Sequence, residues 1–361
     1  MVSEQYDGTQ VKLDFGTLGA TTFSTKLDAY EGQKILILVD ENTKEHCLDY
    51  LLTGFEQLAR AEIIVIPPGE GSKSIELVIQ LWDMLLAYEV SKKDLLICLG
   101  GGVVTDIGGF IASTYKRGLD LIMVPTTLLC MVDAAIGGKN GIDLQGIKNT
   151  IGCTKQPKHI YVDPAFLYTL PIEELRSGWA ECIKHSLIHG PELWRNVKEV
   201  SDSIVWEKFN IDPKLFWELI LTKIQIVEQD PLEINLRKVL NLGHTIAHAL
   251  EAHQLQINVP ITHGNAVAWG IWIEAMIAQQ QGYLSSNQLL EIQEVVVPIF
   301  KSLDWKQLDV SLLFKYLNQD KKNQDQQWRY VALESAGVYH IDAVMNPQEL
   351  EAALLSLQSM E

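Results

Sequence analysis

The sequence predicts an α/β domain with a Rossmann-like parallel sheet and covering helices, followed by a mainly α-helical domain. Three observations predict it. Short, nearly continuous apolar runs alternate with helical patterns over the first half of the chain. Glycine-rich turns follow such runs. Near Pro171 the alternation stops, and helical periodicity continues almost to the C-terminus. Apolar strands without polar alternation belong to sheets covered on both faces. Ligands of such sheets bind at the carboxyl ends of the strands.

The strands are read in "KILILVD", "AEIIVIPP", "DLLICLGGG", "LDLIMVPTT" and "HIYVDP". "SIELVIQLWDMLLAYE", with apolar residues three and four apart, reads as a helix between two of them. "LPIEELRSGWAECIKHSLI" opens the helical half, with Pro171 suited to the first turn and Glu173 and Glu174 near the positive end of the dipole. "NLGHTIAHALEAH" puts His244 and His248 on one helical face. "WRYVAL" and "GVYHID" form a late hairpin in this reading. There is no internal repeat or low-complexity linker, so the boundary is a change of class. The domains expected are residues 1–170 and 171–361, with the active site in the cleft between them.

Composition narrows the function. The chain has 361 residues, 47% of them hydrophobic, enough for two domains with sizeable cores. A formal net charge of −17 argues against nucleic acid and anionic membranes as partners. An anionic substrate would need a local basic pocket. The five cysteines are widely spaced without a C-x-x-C, which argues against a disulfide framework or a zinc ribbon. The first residues lack a signal-peptide pattern, and Glu274 interrupts the longest apolar run, "AVAWGIWIEAMIA". The expectation is a soluble, cytoplasmic protein.

Three regions could carry chemistry. "CLGGGVVTDIGGF" runs a strand through three glycines into a helix, a turn that lets backbone N–H groups approach a phosphate. It is not the G-x-G-x-x-G fingerprint, and a tight turn without a ligand is the plain alternative. The segment from Val124 to Gly152 is dense in Gly, Thr, Asp, Lys and Asn, with Lys139, Lys148 and Asn149 each after glycines or near one. Such a flexible basic segment suits a phosphate or carboxylate; the alternative is a solvated loop. The third group is Glu181, Lys184, His185, Arg237, Asn241, His244, His248 and His263. A carboxylate with imidazoles is the usual zinc set. A catalytic zinc takes three protein ligands, and spacing alone does not choose among these. Thr245 stands where a metalloprotease H-E-x-x-H would have glutamate. His46, His159, His189, His253 and His340 are read as hydrogen-bonded core or surface residues, with His253 at the surface.

"LGGGVVTDIGGFIASTYKRG", "VPTTLL", "VDAAIGGKNGID", "GIKNTIG", "AECIKH", "LNLGHTIAHALE" and the "THG" before "AVA" occur in the order and spacing of the 3-dehydroquinate synthase family, within the sugar-phosphate cyclase group. "PPGEGSKS" and "QDKKN" also resemble its motifs, and the similarity covers nearly the whole chain. The resemblance implies conversion of 3-deoxy-D-arabino-heptulosonate 7-phosphate to 3-dehydroquinate and phosphate, in the shikimate pathway to aromatic amino acids. It implies transient oxidation by NAD, β-elimination of phosphate, re-reduction, ring opening and aldol closure. The implied cofactors are NAD and a divalent metal, zinc or cobalt, and the implied assembly is a homodimer.

Residue by residue, the resemblance implies Glu181, His244 and His263 as metal ligands. It places Lys139, Asn149, Arg117, Asn241, His248 and one of Lys321 and Lys322 around the leaving phosphate. Lys184, Lys223, Arg237 and Asp133 fall to the substrate carboxylate and hydroxyls, and Glu233 matches a proton acceptor. Lys139, Glu233 and His248 are the residues expected to be catalytic. Cofactor positions carry over to Asp40, Asn42, Glu70, Lys73, Gly101, Gly102, Val103, Asp106, Thr126, Thr127, Lys148, Phe166 and Thr169, with Thr105 and Lys139 beside them. The chain departs from the family where Ala134 and Ala135 replace a frequent Ser-Ser, Thr105 a frequent Gly, and Asn265 a frequent Glu. The alanines remove two hydroxyls near the cofactor and substrate loop, and Asn265 removes a charge beside a metal ligand.

Two other activities stand as alternatives. One is another sugar-phosphate cyclase, acting on sedoheptulose 7-phosphate or glucose 6-phosphate; Lys184, Arg237 and Lys223 favour a substrate carboxylate, which those sugars lack. The other is a metal-dependent polyol dehydrogenase, which has no need of a phosphate cluster. A non-catalytic protein on the same scaffold would be expected to have lost its ligands.

Overall fold

A computed structural model describes residues 3–144, 147–319 and 327–359. The chain divides into two compact units, Met1–Pro171 and Ile172–Glu361.

In the first unit, the strands in chain order are β1 (Glu4–Asp7), β2 (Lys12–Phe15), β3 (Ile35–Asp40), β4 (Glu62–Ile66), β5 (Leu95–Gly100), β6 (Asp120–Pro125), β7 (Lys139–Leu144), β8 (Ile147–Thr154) and β9 (His159–Val162). Seven of them form one sheet among the described residues, in the order β1-β2-β9-β6-β5-β3-β4. Every pairing in it is parallel except that of β1 with β2. The five expected apolar runs are its five central and right-hand strands. β5 is buried along its whole length, as a central parallel strand covered on both faces must be. The antiparallel β1 was not expected: "EQYD" is short, polar and mostly exposed.

Short helices α1 (Phe23–Asp28), α2 (Glu41–His46) and α3 (Leu48–Gly54) lie in the first connections. The predicted helix α4 (Ile75–Ala87) is capped by the Ser74 hydroxyl, which accepts from the Leu77 N–H, and buries Val78, Leu81 and Leu85 as one stripe. α5 (Gly102–Thr114) follows the glycine-rich turn. A Cβ on Gly108 would stand 2.0 Å from Cys98 Sγ, and one on Gly109 1.8 Å from Asn140 Oδ1. Two of its glycines are therefore needed for close packing, one against β5 and one against β7. The region from Val124 to Gly152 is not an open loop. It makes one π-helical turn, Cys130–Ala134, and then the antiparallel pair β7 and β8.

In the second unit the helices are α6 (Ile172–His189), α7 (Pro191–Ser203), α8 (Pro213–Gln229), α9 (His244–Gln256), α10 (His263–Gln280), α11 (Ser286–Ile299), α12 (Val310–Gln319) and α13 (Pro347–Gln358). The late hairpin is present as β10 (Trp328–Ser335) and β11 (Val338–Met345). α10 is the core helix: every residue from Gly264 to Ala278 is buried. An apolar surface all round suits a helix enclosed on every side. No helix among the described residues is long and apolar enough to cross a membrane. All five cysteines are free.

One histidine differs from expectation. His253 is not at the surface; it is 0% exposed, and its Nε2 accepts the Asp309 N–H at 3.1 Å. Burial holds the ring below its ordinary pKa, so it is a neutral acceptor in the core.

Candidate active site

The first unit gathers its candidate residues at the carboxyl ends of parallel strands. Asp40 ends β3, where its carboxylate caps α2 by accepting the Thr43 N–H at 2.7 Å. Asn42 is exposed on the first turn of that helix. Gly101 and Gly102 follow β5, and Gly101 caps α5 without a side chain, so the first amides of α5 have no side-chain acceptor at the cap. A Cβ on Gly101 would lie 2.9 Å from Thr127 Cγ2, so this turn passes close to the residues after β6. Gly101, Gly102 and Val103 are partly exposed. A bare helix N-terminus with close backbone approach is a cradle for a phosphate. Phe166 and Thr169 lie in the turn after β9, with the Phe166 ring set edge-on against Tyr50.

Glu70 and Lys73 follow β4. Lys73 is only 4% exposed, and its ammonium lies 2.8 Å from Asp106 Oδ2 and 3.4 Å from Glu70 Oε1. It also donates to the side-chain oxygen of Asn149. The backbone closes the same group: the Asp143 N–H donates to the Lys73 carbonyl, and Asp143 Oδ1 accepts the Asn149 N–H, both at 2.7 Å. Burial pushes the Asp106 carboxyl up to about 6, against the pull of Lys73. Burial lowers Lys73, but Asp106 and Glu70 outweigh it and raise the ammonium.

Other positions fall differently. Thr105 is 1% exposed, and its hydroxyl is turned back onto the Gly101 and Gly102 carbonyls and the Cys130 thiol. Its hydroxyl is thus engaged within the chain, at the start of α5. Arg117, exposed and left-handed (φ 64°), leads into the amino end of β6, the opposite end from Thr126 and Thr127. It is not brought to the others within this unit. Lys139 opens β7, Lys148 lies on β8, and both are exposed; Asp133 sits on the π-helical turn. Ala134 faces the glycine turn, its Cβ 3.7 Å from where a Gly102 Cβ would be.

In the second unit, three distant positions converge. Glu181 lies inside α6, His244 is the first residue of α9, and His263 is the first residue of α10. Their ligand atoms all lie within 4.8 Å of one another. Glu181 Oε1 is 3.6 Å from His244 Nε2 and 3.4 Å from His263 Nε2. Glu181 is 0% exposed, and its other oxygen lies 2.5 Å from Lys184 Nζ. The far nitrogens of both rings are held: His244 Nδ1 lies 3.1 Å from the Leu242 carbonyl, and His263 Nδ1 lies 3.4 Å from Glu251 Oε2. That leaves each Nε2 facing the carboxylate.

The electrostatics suit a cation. Burial, and then the Lys184 ammonium, keep His244 well below its ordinary pKa, so the ring is neutral. Burial opposes a charge on His263, but the Glu251 and Glu181 carboxylates push it up to about 10. A carboxylate and two imidazoles at this separation fit a zinc-type ion, which would take the place of that proton.

Most of the other expected residues of this unit lie on α8, α9 and the segment between them. His248 is exposed one turn along α9, its ring centroid 5.6 Å from that of His244. Lys223 on α8 and Arg237 are buried, and Arg237 Nη1 donates to the Pro231 carbonyl at 2.7 Å. Glu233 has a left-handed backbone (φ 58°), and its Oε1 accepts the Asn241 amide at 2.8 Å. Asp230 ties down the loop carrying both, accepting the N–H groups of Ile234, Asn235 and Arg237. Burial would raise the Asp230 carboxyl, but these donors outweigh it and lower it. Lys321 and Lys322 lie outside the described residues. Asn265 does not face the trio: its amide donates to the Lys301 carbonyl at 3.1 Å. Sequence reasoning missed Asp230 and Glu251, although Glu251 falls on the helical face of His244 and His248.

The model of the 3-dehydroquinate synthase N-terminal domain matches residues 63–177, and that of the C-terminal domain matches residues 178–323. A 3-dehydroquinate synthase of Parabacteroides distasonis is 34% identical over 329 residues, covering 91% of this chain and 92% of that one. One of Ruminiclostridium cellulolyticum is 32% identical over 351 residues, covering 97% and 96%. Among solved structures, a 2-epi-5-epi-valiolone synthase of Streptomyces hygroscopicus subsp. jinggangensis, with NAD+ and Zn2+ bound, has the same fold: TM-score 0.85, 24% identity, 99% of both chains.

Proposed function

The chain belongs to the 3-dehydroquinate synthase family, and we propose that it carries out that family's reaction with Glu181, His244 and His263 as the ligands of a divalent metal. The reaction converts 3-deoxy-D-arabino-heptulosonate 7-phosphate to 3-dehydroquinate and phosphate. The observation that carries the assignment of residues is the convergence of those three side chains, from three separate segments, within 4.8 Å. When bound, NAD supplies a transient oxidant for one substrate hydroxyl, and the metal ion a Lewis acid that acidifies it.

The remaining roles follow from the chain's own groups. The bare amides at the start of α5 and the Lys73–Asp106–Glu70 cluster hold the cofactor's phosphates and polar edge. Lys184, Lys223 and Arg237 bring buried positive charge to a substrate carboxylate in a protein that is acidic overall. Glu233, fixed by Asn241, accepts the proton from carbon. His248, exposed one turn from a metal ligand, exchanges protons with the phosphate being expelled. Lys139 adds positive charge for that phosphate and Asn149 an amide donor, and the assembly is a homodimer in the cytoplasm.

One assay tests the whole reading. The protein is incubated with NAD, Zn2+ and the heptulosonate phosphate, and both phosphate and NADH are followed. Stoichiometric phosphate without lasting NADH is expected. NADH that accumulates without phosphate release would mean a dehydrogenase instead.

A further inference from the structure

His244 is the first residue of α9, and the cap before it is Gly243, left-handed at φ 78°, with no side chain to receive the helix's opening amides. The acceptor comes from another helix. Glu274, deep in α10, accepts the Gly243 N–H at 2.8 Å through Oε2 and the Ile246 N–H at 3.4 Å through Oε1. Glu274 is 1% exposed and is the one ionisable residue between Gly264 and Ala278. A carboxylate in such surroundings is strongly unfavourable unless its lone pairs are filled and its charge is balanced. The start of α9 offers both amide donors and the positive end of the helix dipole.

The backbones meet at the same place. A Cβ on Gly270 would stand 2.0 Å from the Gly243 carbonyl oxygen, and one on Gly243 would stand 2.5 Å from Ile271 Cγ1. The start of α9 therefore seats directly on α10, backbone against backbone at Gly243 and Gly270. α10 itself begins with His263. The carbonyl that orients the His244 ring belongs to Leu242, the residue before the anchored glycine.

We propose that Glu274 is a positioning residue of the metal centre: by capping α9 from α10, it sets the distance between His244 Nε2 and the other two ligands. His263 is registered to α10 by the chain, and His244 by this carboxylate. The inference rests on the metal-site reading given above.

The test uses the full chain, stripped of metal, as wild type, Glu274→Gln, Glu274→Leu and His244→Ala. Zn2+ affinity is measured by competition with a chromophoric chelator, and ligand geometry by the visible spectrum of the Co2+ form. Melting temperatures are taken with and without Zn2+. Glu274→Gln keeps the volume and one acceptor; it should weaken Zn2+ binding about tenfold or more and alter the Co2+ spectrum while the helical circular dichroism is retained. Its Zn2+-induced rise in melting temperature should shrink. Glu274→Leu, with no acceptor, should do so further. A folded Glu274→Gln with wild-type Zn2+ affinity and Co2+ spectrum overturns the proposal. So does a loss of stability that is equal with and without Zn2+, because that is a structural role alone. His244→Ala separates the two readings: if it binds Zn2+ as wild type does, the metal-centre assignment fails, whatever Glu274 does.

Discussion

Glu181 joins three things that a buried carboxylate needs: an ammonium at 2.5 Å and two imidazole nitrogens at 3.4 and 3.6 Å. The pattern "AECIKH" gave its residue type away, but no spacing rule joins positions 181, 244 and 263. Spacing leaves at least five possible ligands, and only the family resemblance chooses three, because helix packing rather than local sequence brings them together. Glu251 shows the reverse case. It was within reach of a face-by-face reading, at seven residues from His244, yet nothing in the sequence says that it faces His263. Replacing Glu251 by Gln should weaken metal binding about ten- to one-hundredfold, measured by chelator competition, with secondary structure unchanged. His248→Ala should behave oppositely: metal retained, and turnover reduced by about 10² or more if the ring moves protons. Loss of metal in that variant would refute the division of roles between His244 and His248.

The elements that were readable are those whose burial is uniform. β5, and β3 up to its terminal Asp40, are apolar because a parallel strand under helices has no wet face. The pair β7 and β8 is not legible as strands, because its glycines and lysines are poor strand formers. Its place is set instead by α5: Asn140, 4% exposed, donates to the Gly138 and Lys155 carbonyls and stands where a Gly109 side chain would be. Gly109→Ala should therefore destabilise the protein by about 1–3 kcal/mol, as measured by urea unfolding; a neutral effect would mean that the pair can move aside at no cost. Asp106, on the same helix, gives a pH dependence. Its folded pKa of about 6 lies above the unfolded value, so below about pH 4 its contribution to stability is complete. As pH rises through about 6, the folded state must release a proton that the unfolded state has already lost, and that stability disappears. Urea melts across this range should show the fall, and Asp106→Asn should flatten it.

For the molecule as a whole, the balance of acid over base was informative in one direction only. A net charge of −17 argued against polyanionic partners, while the basic residues that matter, Lys73, Lys184, Lys223 and Arg237, are buried and barely register in that sum. The proposed metal trio draws on α6, α9 and α10, so an ion that it binds only in the folded chain must stabilise the fold. At a free Zn2+ concentration about a thousand times the Kd, the gain should be about 4 kcal/mol. Scanning calorimetry before and after chelation should show the melting temperature fall, and Glu181→Gln should abolish the difference.

The enclosure of α10 has a consequence for time rather than geometry. Amide protons of Gly264–Ala278 have no face open to solvent, so their exchange for deuterium must wait for unfolding that reaches the core. His263 is thus mounted at the start of a segment with no solvent-facing side. Hydrogen exchange followed by mass spectrometry should therefore find the peptides of this helix among the slowly exchanging ones.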